Sequence, residues 1–418
     1  MKYLSFLFLI FPLNTYSQDM SLNIEKAWQM TLSNNHNLKS KEYEKNQAEY
    51  SYLSSINSYL PQISQSNSFS RSGSDYSSPS NRFSAQASLD QNIFNLKTIS
   101  SIKISKISYE IARISYETAL CELRKSFYSA YLDLYFAQEA VEVNKRILEI
   151  RQENAKLIKL KYESGLESKG DMLYAQAQSQ MAELNLRRAQ RTLESYMDNL
   201  SYIMGIKRNG KIAVSGDFPL TETKINLDKV NDYISLYPDI KIYLKNIENS
   251  REKLLSAKYD ALPSLKFGSS IGYSGKSEFP KDRNWSMSIS LNLPLFSNGP
   301  TYYSKNKEAM ENALKSAEKK YEDAVFSFEK DLKTSYIDYL NAKDAVITYK
   351  ILMEANEERY KEGQVKYMAG KMSFIDLENI EQNMIDSRLN YIEYMKNAHL
   401  KKINLERLLG IKALEGAI

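Results

Sequence analysis

Between Arg82 and Phe94 the side chains alternate with a period of two. Phe83, Ala85, Ala87, Leu89 and Ile93 share one parity, and Ser84, Gln86, Ser88, Asp90 and Asn92 share the other. Trp285, Met287, Ile289, Leu291, Leu293 and Leu295 alternate in the same way with Ser286, Ser288, Ser290 and Asn292. Leu265, Phe267, Ile271 and Tyr273 repeat the pattern, and Ile63–Phe69 shows it more weakly. Strict alternation gives a strand one apolar and one wet face. Four strands are therefore predicted, at about 62–70, 82–94, 264–273 and 284–295. Their wet faces are serine and asparagine with few charges, and each run is nearly long enough to cross a bilayer at a tilt. A surface sheet over a soluble core would alternate too, so the strands alone leave that reading open.

After each strand pair the period changes. Asn95–Ser164 contains no glycine or proline, which at ~1.5 Å per residue predicts a helix roughly 100 Å long over 95–164. A second long helix is expected over 301–368. In it Ala317, Tyr321, Ala324, Phe328, Leu332, Ser335, Tyr339, Ala342, Val346, Tyr349, Met353, Asn356 and Tyr360 step almost entirely by three or four. Such a stripe needs partner helices. Ile107, Ile114, Cys121, Tyr128 and Tyr135 recur every seven residues, which makes the lone Cys121 a packed thiol. Helix-like stretches at about Leu22–Tyr59 and Leu227–Tyr259 precede the strands and stop near Pro61 and Pro263.

The chain states this grammar twice. Tyr162, Gly165 and Asp171 return as Tyr367, Gly370 and Asp376, and Gly205 returns as Gly410, all at a shift of 205. Leu60 and Pro61 return as Leu262 and Pro263 at a shift of 202. The reading is a first repeat over 18–215, with a return helix at about 171–205, and a second over 216–418, with one at about 373–410. Residues 207–226 read as irregular linker, from Gly210, Gly216, Asp217 and Pro219.

Ahead of both repeats, Lys2, the apolar run Leu4–Leu13 and the small residues at 15–17 make 1–17 a secretory signal peptide. The run is too short for a membrane anchor, which needs about 20 apolar residues. The 56 basic and 51 acidic residues are mixed throughout, so no basic stripe invites nucleic acid. The two histidines, His36 and His399, are solitary, and no phosphate loop or metal-ligand spacing occurs. Neither catalysis nor a cofactor is expected. Energy for any transport must come from a partner.

Four strands cannot close a barrel, and open sheet edges are not viable in lipid. Three chains would supply twelve strands, whereas eight strands from two chains enclose an interior filled by side chains. The repeat, the Leu-Pro before each strand pair and the Tyr-x-x-Gly-x-x-x-x-x-Asp turn together resemble the TolC family of outer-membrane efflux proteins across essentially the whole mature chain. That resemblance implies a mainly helical fold with membrane strands: a homotrimeric 12-stranded β-barrel in outer-membrane lipid, continuing into a periplasmic α-helical barrel. It implies a passive exit duct for a tripartite efflux or type I secretion system, served by a periplasmic adaptor and an inner-membrane pump of RND or ABC type. Periplasmic tips would then fall at Gly165 and Leu166 and at Gly370 and Lys371. Asp171 and Tyr367 match a contacting pair of the family's gate. Its latch arginine falls at Met372, with Lys371 as a substitute. Of the two constriction aspartates one matches Asp376; the other falls at Asn379, beside Glu378. Read from the residues alone, Asp171 and Asp376 are helix N-terminal caps. A secreted coiled-coil structural or adhesive protein without a pore is the competing function, which the alternating strands disfavour.

Overall fold

The computed structural model describes residues 20–220, 225, 230–295 and 298–411. The expected signal segment 1–17 and the end of the second repeat beyond residue 411 lie outside them. The first half runs through β1 (Met20–Asn23), α1 (Ile24–Asn34), α2 (His36–Ile56), β2 (Gln62–Ser74), β3 (Ser77–Phe94), α3 (Leu96–Glu163) and α4 (Lys169–Met204). The second runs through β4 (Ile212–Ser215), α5 (Val230–Leu236), α6 (Pro238–Tyr259), β5 (Ser264–Gly275), β6 (Asp282–Asn292), α7 (Tyr302–Met368) and α8 (Phe374–Leu408). Two compact units are distinguished, one of Ser40–Ala119 with Val230–Glu329 and the other of Met1–Lys39, Leu120–Lys229 and Lys330–Ile418. Each draws on both sequence repeats.

The unit of Ser40–Ala119 and Val230–Glu329 holds an antiparallel sheet ordered β2-β3-β5-β6. β3 pairs with β5, so the two strand hairpins share one sheet. Register keeps like with like: Ser64 faces Ser88, Ser88 faces Ser270, and Ser270 faces Ser286. The hydroxyls of Ser64 and Ser88 lie 2.8 Å apart, as do those of Ser270 and Ser286. On the opposite face Trp285, Met287, Ile289 and Leu291 are all exposed. At Gly272 a Cβ would lie 2.5 Å from the Ala85 carbonyl oxygen, so only glycine lets β3 and β5 approach there. β6 stops at Asn292, short of the expected 295, because Pro294 has no N–H to donate. β2 and β3 exceed their expected spans, since their serines pair across the ladder almost to the turn.

Each expected leading helix is broken in two. Asn35 interrupts the first: its Oδ1 accepts from the Leu38 N–H at 2.8 Å, and its Nδ2 donates to the Ile203 carbonyl at 2.7 Å. Pro238 interrupts the second by starting α6, where a missing N–H costs nothing. The break at Asn35 rests on a contact distant in sequence, whereas Pro238 was a local signal that the expected helix over 227–259 passed over.

In the other unit, β1 and β4 form a parallel pair from Met20↔Ile212 to Asn23↔Ser215. Neither was expected, and β4 lies within the predicted linker; four residues are too few for a period to show. Fully buried Tyr131 of α3 pins the pair, its hydroxyl lying 2.9 Å from the Leu22 carbonyl and 2.8 Å from that of Ser215. Gln138 acts as a third strand: its amide donates to the Val214 carbonyl and accepts from the Val214 N–H.

Four helices end on one cap. Gly165, Gly205, Gly370 and Gly410 have φ of 74°, 70°, 69° and 72°. At each, the following N–H returns to a carbonyl five residues back, as from Leu166 to Lys161 and Lys371 to Lys366, both at 2.8 Å. Gly165 needs glycine for φ alone, with open space around it. At Gly205 a Cβ would also lie 2.4 Å from the Asn34 carbonyl oxygen. Gly165→Ala should therefore cost about 1–2 kcal/mol, the left-handed penalty. Gly205→Ala should cost clearly more, because backbone must move as well. Thermal melting of the two variants measures the difference, and equal losses would refute the clash.

Candidate functional site

The turns between α3 and α4 and between α7 and α8 are built alike. Ser168 and Ser373 are N-caps: each hydroxyl accepts from the N–H of the residue three on, Asp171 at 3.1 Å and Asp376 at 3.2 Å. Each also donates to that residue's carboxylate at 2.6 Å. The serines are thus the caps, and the two aspartates expected in that role lie in the first turn of each helix, bonded to the capping hydroxyls beside the positive ends of the helix dipoles.

The contact implied for Tyr367 is different in the structure. Its hydroxyl donates to Glu167 at 3.0 Å, while Asp171 is engaged by Ser168. Tyr367 is buried, with Lys161 Nζ 3.6 Å from its ring centroid. Burial pushes the phenol pKa up, and the nearby Glu167 and Asp171 carboxylates add to it. Gly165, Leu166, Gly370 and Lys371 are exposed at the turns. Met372, where the family's latch arginine would fall, packs against an apolar cluster that includes Tyr367, Phe374 and Leu377. Lys161 is the cation that this turn sets over Tyr367.

Asp376 and Asn379 begin an exposed stripe on α8 that continues through Asn383, Asp386, Asn390 and Glu393. Steps of three and four put all six on one face, and every one is an acid or an amide. Glu378 lies beside this face and accepts from the Tyr174 hydroxyl at 3.0 Å.

A buried charge network, not foreseen from sequence, joins α3 to α8 behind the turns. Arg151 Nε lies 2.9 Å from Oε1 of Glu381, as an ion pair whose N–H is not aligned for a hydrogen bond. Arg151 donates to Gln382 at 2.8 Å, and Asn154 donates to the other Glu381 oxygen. Glu381 is 1% exposed and Arg151 6%. Burial raises the Glu381 pKa above its usual value, against the pull of Arg151. One trace was legible: Asn356, the shift-205 counterpart of Arg151, is a polar residue on the α7 seam.

Among the described residues, no group of three or more His, Cys, Asp and Glu could hold a metal, and no helix is long and apolar enough to cross a membrane.

Arg151→Met strands a buried carboxylate and should cost about 3–5 kcal/mol at neutral pH. A carboxyl whose folded pKa exceeds its unfolded one favours the fold increasingly as pH falls through the folded value, levelling off below the unfolded value near 4.5. Acidification should therefore restore part of the loss, and Glu381→Gln in the same chain should restore it at neutral pH. Melting curves of the single and double variants decide; a loss indifferent to both would exclude this pairing.

Residues 27–205 and 231–411 each match the family model for outer membrane efflux protein. In fold the chain is similar to the CmeC outer membrane channel of Campylobacter jejuni, with a TM-score of 0.85 and 18% identity over 93% of this chain and 85% of that one. It is similar to the outer membrane protein VceC of Vibrio cholerae at a TM-score of 0.80 and 15% identity, over 93% and 96%. The open state of the Neisseria gonorrhoeae MtrE outer membrane channel gives 0.79 and 17%, over 93% and 88%. At such identities the likeness is one of fold. A search of curated proteins finds no match. With two matches that together span most of its length, the chain belongs to the outer membrane efflux protein family, whose members are channels of the outer membrane and not enzymes.

Proposed function

We propose that three copies of this chain form a passive exit duct through the outer membrane, fed by a periplasmic adaptor and an inner-membrane pump of RND or ABC type. One observation carries the reading: a four-stranded sheet with an apolar face bared along β6 and with β2 and β6 as its edges. In lipid those edge N–H and C=O groups have no water to pair with, so the sheet must close on other copies. Three copies make twelve strands, enough for a lumen.

A second surface also calls for association with another copy. Along α7, Ile337, Leu340, Ile347, Ile351, Val365 and Met368 are exposed at heptad-compatible spacing. Such a stripe on a long helix is a coiled-coil seam without its partner. A neighbouring copy is the occupant. Cross-linking and light scattering in detergent test this: the wild type should run as a trimer, and Ile347→Asp with Ile351→Asp should run as a monomer. A wild-type monomer, stably folded without detergent, would end the reading.

The acid and amide stripe of α8 is assigned to the lumen, with Asp376 at its narrow end and Asn379 and Glu378 near it. Gly165, Leu166, Gly370 and Lys371 form the adaptor-facing tips, and Tyr367 with Glu167 and Lys161 joins the two turns of a chain. Three Asp376 carboxylates would attract cations. Asp376→Asn should accordingly lower the cation preference of single channels in planar bilayers. Unchanged preference would remove Asp376 from the pore.

A further inference from the structure

We propose that Lys266 sets the charge selectivity of the barrel segment by cancelling Asp90, the one acidic group on the central part of its wet wall; this rests on the conduit reading. The wet face can be followed row by row. Ser66, Gln86, Gly272 and Asn284 form one row, and Ser64, Ser88, Ser270 and Ser286 the next. Gln62, Asp90, Gly268 and Ser288 follow, then Asn92, Lys266 and Ser290. Across these rows the side chains are hydroxyls, amides and the hydrogens of two glycines, with two exceptions. Those are Asp90 and Lys266, on adjacent strands and adjacent rows, with Nζ 3.1 Å from Oδ1. Their side chains keep 44% and 53% of their exposure, so both stay open to whatever fills the wet side.

Gly268, directly opposite Asp90, leaves the carboxylate free to lean toward Lys266. A Cβ there would lie 3.6 Å from Asp90 Oδ1 and 3.1 Å from the Ser288 hydroxyl. Over these rows, a wall of neutral hydrogen-bonding groups with one compensated pair does not sort solutes by charge; the next acidic group of this face, Asp282, lies one row beyond them at the start of β6. It suits polar cargo of either sign, and neutral cargo equally. Loss of Lys266 would leave one uncompensated carboxylate per chain, a ring of three in the trimer. A potential on the order of one kT changes the local counter-ion concentration about threefold.

The test is the reversal potential of single channels in planar bilayers under a KCl gradient, for wild type, Lys266→Gln, Asp90→Asn and the swapped pair Asp90→Lys with Lys266→Asp. Lys266→Gln should raise the cation-to-anion permeability ratio about two- to threefold, and Asp90→Asn should lower it by a similar factor. The swapped pair should return it to the wild-type value. The same four proteins in an Asp376→Asn background remove the narrow ring that would otherwise share control of the reversal potential, and the comparison is read there. If wild type and variants conduct normally and neither single substitution moves the reversal potential, the assignment fails while the conduit stands. A wild type that opens no channels removes both.

Discussion

A backbone hydrogen bond unmade in lipid costs several kcal/mol, and that constraint governs this protein from the strands outward. β3 meets β5, so the two hairpins of one chain share an interior ladder, but the outer edges of β2 and β6 remain. Burying the Trp285 face in lipid would expose those edges to a medium without donors or acceptors. Closure through other copies is the solution open to a chain with four strands. In the proposed assembly, the exposed apolar seam of α7 would be a contact between copies. The polar stripe of α8 would likewise have a water-filled space to face in that assembly.

The helix turns show how much of a duplicated design is copied and how much has diverged. Both carry a left-handed glycine, an N-cap serine and an aspartate three residues on, because both must reverse a long helix within a few residues. Behind them the copies part. α3 places Arg151 against Glu381, while α7 places Asn356 at the equivalent position, bonded to the Asn383 carbonyl at 3.4 Å. A buried ion pair on one side and an amide on the other make the seams chemically distinct. Exchanging one partner for the other would strand Glu381, so the asymmetry discriminates against misregistered helix pairing.

Much of this was legible in the sequence because it is periodic. The alternation around Trp285 located β6, the glycine-free run Asn95–Ser164 located α3, and the three-and-four stripe from Ala317 to Tyr360 located α7, since long regular elements repeat their signal many times. What escaped was short or non-local. β1 and β4 have four residues each and owe their pairing to Tyr131 and Gln138, distant in sequence. The helix break at Asn35 depends on the Ile203 carbonyl, which no local pattern reveals. At the turns, the place of Asp171 and Asp376 near a helix start was legible, but the capping itself falls to Ser168 and Ser373, and the partner of Tyr367 was not foreseen. Asp171 and Glu167 are four residues apart on one turn, and only the geometry decides which carboxylate Ser168 occupies.

The two hairpins also divide the membrane face unequally. β6 presents Trp285, Met287, Ile289 and Leu291 on its apolar side, whereas β2 presents Ile63, Gln65, Asn67 and Phe69. Gln65 and Asn67 would be costly in lipid if β2 stood alone. In a closed ring, the outer edge of β2 lies beside β6 of the next copy, and the large side chains of β6 lie next to those amides. Phe69 packs on Phe83 with ring centroids 4.7 Å apart, covering the neighbouring stretch from within the chain. In the proposed ring, the strand least suited to lipid would sit between its own β3 and the most apolar strand of a neighbour. Such a ring would shield the polarity of β2, so its composition favours closure as its open edge does.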